Sequence, residues 1–155
     1  MNILFICTGN ICRSPLAEGL VRHRLQEAGL HEQVQVDSAG THDYHVGEPP
    51  DPRAIALARS HGIDIADLRA RRIAAADLDR FDLVLAADRD NLRALAARHP
   101  GGRARRALLL EWSGLGTGTE LPDPYYGGPR QFEEVFELLD EASGPLIAKL
   151  RRGRI

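Results

Sequence analysis

The chain has 155 residues, 43% of them hydrophobic and 27% charged, which is the balance of one globular domain with enough material for a core, not of a disordered tail. A net charge of -2 leaves no electrostatic footprint for nucleic acid or an anionic membrane surface, so neither is expected as a partner. Two cysteines, Cys7 and Cys12, are too few for a disulfide-stapled secreted scaffold; with no signal-peptide pattern and no apolar stretch of spanning length, a cytoplasmic location is expected.

Ile3 to Ile6 make a short unbroken apolar run, the pattern of a strand buried on both faces. A turn at Thr8-Gly9-Asn10 follows. Ser14-Pro15 then reads as a helix start, with serine as the N-cap and proline preorganised for the first helical position. Leu16, Leu20, Val21 and Leu25 form one apolar stripe, and this helix is expected to stop near Gly29. Val34 to Val36 read as a second strand. Asp51-Pro52 caps a helix through Ile55, Leu57 and Ala58 that ends by Gly62. A third strand, Leu83 to Ala86, leads into a helix over about 90–98, and Ala107 to Leu110 read as a fourth strand.

The last helix, over about 130–152, turns Phe132, Val135, Phe136, Leu139 and Leu146 toward the core, and Gly144-Pro145 predicts a kink or split within it. Strands alternating with helices predict an α/β fold: one doubly wound domain over 1–155, a four-stranded parallel sheet with helices on both faces. The stretch Ser113 to Gly128 is rich in glycine and proline and carries no helix or strand pattern. A loop that long inside a small domain is usually functional or disordered.

The segment Cys7-Thr8-Gly9-Asn10-Ile11-Cys12-Arg13-Ser14 concentrates the chemistry. A buried strand delivers Cys7 to the carboxyl edge of the sheet, where open α/β folds bind ligands. The chain then curls into a helix, so backbone N–H groups and a helix N-terminus converge on one spot and make an anion site. Such a site favours a thiolate. Arg13, six residues after Cys7, stands where its planar fork can grip two phosphate oxygens. Thr8, Gly9, Asn10, Ile11, Cys12 and Ser14 are therefore candidate substrate-binding residues. Together they meet the needs of in-line attack by sulfur on a phosphate monoester, with no metal or cofactor required. Asn10 is expected in the left-handed region, and Ser14 is placed to donate its hydroxyl to Cys7.

Other readings of the same residues exist. A cysteine at a strand end is often a small packed hydrophobe, and Pro-Asp-Pro around Asp123 is ordinary turn chemistry. Zinc ligation by Cys7 and Cys12 lacks a second ligand pair, and His42 and His45 read as plain loop residues. The nucleotide-triphosphate loop is excluded because its Gly-Lys-Ser/Thr ending is missing.

The run Cys7 to Pro15 resembles the catalytic loop of low-molecular-weight protein tyrosine phosphatases. The likeness extends through Asp37-Ser38-Ala39-Gly40, Val46-Gly47, Pro50-Asp51-Pro52-Arg53-Ala54, His61-Gly62, Ala70-Arg71-Arg72-Ile73 and Asp123-Pro124-Tyr125-Tyr126. It implies hydrolysis of phosphotyrosine in proteins through a cysteinyl phosphate, with Cys7 as nucleophile, Arg13 as phosphate clamp and Asp123 as general acid and base. It also puts Tyr44 and Tyr125 at the pocket rim, and phosphotyrosine-containing proteins as the partners. In many relatives Asn10 is supported by Ser38 and by a histidine; Leu68 stands where that histidine would fall. Three rival functions have distinct signatures. An arsenate reductase needs further redox cysteines after Cys12, and none follows. The phosphoarginine branch usually has threonine at the position of Ile11. A binding module without turnover could dispense with Cys7 or Asp123, and both are present.

Overall fold

The computed structural model describes residues 1–153. In chain order the elements are β1 (Asn2–Cys7), α1 (Arg13–Glu27), β2 (Gln35–Gly40), α2 (Pro52–Ser60), α3 (Asp77–Arg80), β3 (Leu83–Ala86), α4 (Arg89–Arg98), β4 (Arg105–Leu108), α5 (Leu109–Ser113) and α6 (Pro129–Arg151). The four strands are parallel in the order β2-β1-β3-β4. The period of two along the central strands supplies both faces of the sheet. Ile3, Phe5, Leu83 and Leu85 join the core built with α1, α5 and α6, while Leu4, Ile6, Val84 and Ala86 face Leu78 of α3 and Leu95 of α4. This is the doubly wound α/β architecture the sequence predicts.

β1 has one neighbour, β2, reached by the α1 crossover, and another, β3, reached from β2 by passing over β1. The chain therefore leaves the carboxyl ends of β1 and β3 in opposite directions, and a crevice opens there. Cys7, the last residue of β1, stands at its edge.

Four local expectations change. The fourth strand is Arg105–Leu108, not Ala107–Leu110: register against β3 ends at Ala86 opposite Leu108, and Leu109 and Leu110 begin α5. A short apolar run suits a buried helix as well as a buried strand, which is why the pattern misled. β2 extends well beyond Val36 to Gly40, because its partner β1 offers hydrogen bonds as far as Cys7. Ser14 does not cap α1: the helix starts at Arg13 after Cys12, without a side-chain cap, and the serine hydroxyl is engaged elsewhere. Gly144-Pro145 does not split the last helix, which runs unbroken from Pro129 to Arg151 with its apolar face buried against α1 and α5. Among the described residues, no helix is long and apolar enough to cross a membrane.

Candidate active site

The loop from Thr8 to Cys12 is pinned on all sides. Thr41 and His42 donate backbone N–H to the carbonyls of Cys7 and Thr8, tying the loop to the chain leaving β2. Gly40 makes this approach possible, since a Cβ there would lie 2.7 Å from the Thr8 carbonyl oxygen. Asn10 adopts φ +60°, the left-handed turn expected of it. Its amide holds the loop from inside: Oδ1 accepts from the Arg71 N–H at 3.0 Å, and Nδ2 donates to Ser14 Oγ at 2.8 Å and Ser38 Oγ at 3.0 Å. Ser14 Oγ in turn lies 2.9 Å from Cys7 Sγ. With both Asn10 protons spent as donors, the serine proton is free to point at sulfur.

Arg13 is 2% exposed, which an isolated charge would not tolerate. One guanidinium nitrogen donates to Asp88 Oδ2 at 2.7 Å and to the Leu121 carbonyl at 2.9 Å. The other lies 3.4 Å from Thr8 Oγ1 and 3.9 Å from Asp123 Oδ2. Burial works against the Arg13 charge, but Cys7, the hydrogen-bonded Asp88 and nearby Asp123 outweigh it and hold the group above its ordinary value. Asp88 also caps α4 by accepting from the Asn91 N–H at 2.8 Å, and Asn91 Nδ2 reaches Thr8 Oγ1 at 3.2 Å. One carboxylate thus starts a helix and orients the Arg13 guanidinium.

Asp123 reaches the site from the opposite side. Its carboxylate accepts from the Tyr125 N–H at 3.1 Å, a local turn that fixes its direction, and its side chain is 47% exposed. The loop that carries Asp123 is fastened at both ends. Leu121 donates to the Ala87 carbonyl at 2.8 Å while accepting from Arg13. Arg53, paired with Asp51, donates to the carbonyls of Tyr125 at 2.9 Å and Gly127 at 3.1 Å.

These segments enclose a cavity of about 160 Å³ lined by Cys7, Thr8, Gly9, Ile11, Cys12, Arg13, Tyr44, His45, Asp123, Tyr125 and Tyr126. Tyr125 packs edge-on against Tyr126 at 4.9 Å between ring centroids, and Tyr44 stacks on His42 at 5.0 Å. Two aromatic walls above a narrow polar floor suit a flat ring carrying an anion. Burial, then Asp51, Cys7 and Asp123, push the Cys12 thiol far above the ordinary range against the opposing Arg53, so it stays neutral.

The structure thus brings together Cys7, Arg13, Asp123 and the whole loop from Thr8 to Ser14, with Tyr44 and Tyr125 at the rim and Ser38 beneath. Sequence reasoning missed the parts played by Asp88, Asn91 and Arg53. An aspartate just before a helix is a general N-cap signal, but nothing in the local pattern links Asp88 to Arg13, 75 residues away. His45, read as a plain loop residue, also lines the cavity, held by Glu48 at 2.8 Å. No group of metal-ligating side chains occurs among the described residues.

The family model for low molecular weight phosphotyrosine protein phosphatase matches residues 2–154. A low molecular weight protein-tyrosine-phosphatase of Streptomyces coelicolor is 44% identical over 153 residues, covering 96% of this chain and 93% of the relative. A solved protein tyrosine phosphatase of Entamoeba histolytica, with Hepes in its active site, superposes with a TM-score of 0.92 at 37% identity, covering 100% of this chain and 99% of the other. A solved Drosophila arginine phosphatase gives a TM-score of 0.88 at 30% identity, over 97% and 98% of the two chains. A match across nearly the entire sequence, and a superposition over the entire fold, make this chain a member of the low molecular weight phosphotyrosine protein phosphatase family.

Proposed function

We propose that this phosphatase hydrolyses phosphotyrosine in proteins through a cysteinyl phosphate. The observation that carries the proposal is the meeting of Cys7, the buried Arg13 and the half-exposed Asp123 in one cavity walled by tyrosines. The phosphoryl group sits in the loop amides with two oxygens on Arg13. Cys7 sulfur attacks phosphorus opposite the phenolic oxygen; the P–O bond breaks as Asp123 hands that oxygen its proton. Asp123, now a carboxylate, takes a proton from water as the water oxygen attacks the same phosphorus. Phosphate leaves and the thiolate returns. Ile11, 7% exposed and on the cavity wall, offers apolar contact to a phenyl ring and no partner for a guanidinium. Free thiols at both cysteines suit a reducing compartment, and the cytoplasm is the proposed location.

The likeness to an arginine phosphatase gives the second reading a specific footing. Turnover of phosphotyrosine, phosphoserine and phosphoarginine peptides, measured in EDTA, separates the two. Phosphotyrosine is expected to win on kcat/KM, and Ile11→Thr is expected to move the ratio toward phosphoarginine. A wild type that prefers phosphoarginine overturns the proposal.

A further inference from the structure

Glu18 is 3% exposed in α1, among Leu16, Ala17, Leu20 and Val21. A carboxylate is almost never so deeply buried unless it is partnered. Its partners lead to the catalytic loop. Ser38 Oγ donates to Glu18 Oε1 at 2.6 Å, and an Arg22 guanidinium nitrogen donates to Oε2 at 2.6 Å and to the Val36 carbonyl at 2.9 Å. Ser38 is the residue that receives Asn10 Nδ2, and Asn10 is the left-handed residue on which the loop turns. Leu68 packs against the apolar core and contributes no polar side-chain atom.

The proton directions in this chain are determined. The Arg71 N–H fixes the Asn10 oxygen, so both Asn10 protons go outward, one to Ser14 and one to Ser38. Ser38, already accepting, needs an acceptor for its own proton. A carboxylate supplies one and has no proton to offer in return. We infer that Glu18 is a positioning residue: by taking the Ser38 proton it holds Asn10 in its turn and keeps Ser14 aimed at Cys7. Arg22 neutralises the buried charge and fixes its orientation. This role rests on the phosphatase chemistry proposed above.

The test uses the asymmetry between the two Glu18 oxygens. In Glu18→Gln the amide keeps the shape, but Arg22 demands an oxygen acceptor, so the amide N–H is turned toward Ser38. The Ser38 proton is then stranded. Arg22 is 41% exposed along its side chain, so replacing it lets water meet the amide N–H and returns the oxygen to Ser38. Glu18→Gln should lower kcat on p-nitrophenyl phosphate by about tenfold, with KM changed less than about twofold, and slow alkylation of Cys7 by iodoacetamide similarly. Adding Arg22→Ala should recover most of the loss.

The alkylation arm reports on the loop even without turnover. Arg13, Asp123, Cys12, His45, Tyr44, Tyr125 and Tyr126, the charged or titratable groups that line the cavity with Cys7, are the same in all variants. An inactive wild type with a Glu18-dependent alkylation rate would sink the phosphatase reading while sparing the positioning role. Unchanged kcat and alkylation in Glu18→Gln, a loss confined to KM, or a double variant no better than the single one would each overturn the role of Glu18.

Discussion

The two halves of the site are held by different physics. The catalytic loop is buried, and its polar groups are spent on one another: Asn10 on Ser14, Ser38 and Arg71, and Cys7 on Ser14. The acid loop is largely exposed, follows no regular structure, and is fastened by two arginines, Arg13 at Leu121 and Arg53 at Tyr125 and Gly127. A buried network holds atoms to the tenths of an ångström that a phosphoryl cradle needs, and any unpaired member is costly. A loop fastened at its ends can open for a substrate and still bring its carboxylate back to one place. Arg13 belongs to both halves, so the proposed clamp on phosphate also anchors the loop that carries the proposed acid.

That double membership gives the largest expected effects. Cys7→Ser should abolish turnover while keeping phosphate binding, because the amides and Arg13 remain; residual turnover above a mock-purified blank would sink the nucleophile assignment. Arg13→Ala should sharply lower turnover and phosphate binding together while leaving a measurable residue of activity, and should leave Asp88 Oδ2 and the Leu121 carbonyl without their donor. If Arg13 couples the halves, adding Asp123→Ala to it should cost much less than Asp123→Ala costs alone, a non-additivity read from kcat. Fully additive losses would mean the two halves act independently.

Asp123→Ala comes next, with phosphotyrosine hydrolysis slowed by roughly 10²–10⁴. The loss should be smaller on p-nitrophenyl phosphate, whose leaving group needs less protonation. Equal losses on both substrates would reduce Asp123 to a shaper of its loop.

The same contrast explains what was legible in the sequence. The central strands could be read because buried parallel strands are apolar throughout, as Ile3 to Ile6 and Leu83 to Ala86 are. Cys7, Arg13 and Asn10 could be read because a strand, a turn and a helix in immediate succession fix their relative positions. Ser38 was expected beneath Asn10 only through the family resemblance, and the other partners come from distant segments: Asp88 for Arg13, Arg71 for Asn10, Arg53 for the loop of Asp123. No local pattern marks such pairs. Glu18 is a middle case, since a glutamate within the apolar stripe of α1, one turn before Arg22, signals a buried pair without saying what it supports.

Arg53 gives a smaller effect, confined to the acid half. It closes the far end of that loop and lies over the Phe132 ring at 4.5 Å from its centroid. Arg53→Ala removes two hydrogen bonds to loop carbonyls, which should lower kcat by about tenfold and leave phosphate inhibition unchanged. Weakened phosphate inhibition would show that the halves are not separable at this end.

The last expected effect is on stability and belongs to the buried half alone. Cys12 is 4% exposed, and burial, helped by Asp51, Cys7 and Asp123, pushes its thiol far above the ordinary value of 9.0. In the unfolded chain that thiol ionises as pH passes its ordinary value; in the folded protein it keeps its proton. Above about pH 9 the folded state therefore binds one proton more than the unfolded state, so stability must fall as pH rises. The contribution is fully present below the ordinary value and is lost at about 1.4 kcal/mol per pH unit above it. Cys12→Ala loses packing at every pH but carries no such proton, and all other titrating groups are shared and cancel in the difference. Urea midpoints of the two proteins, compared from about pH 8 to about pH 10.5, should therefore converge as pH rises. Parallel curves would mean that the Cys12 thiol meets water in the folded protein, and that the catalytic loop is more open than its hydrogen bonds imply.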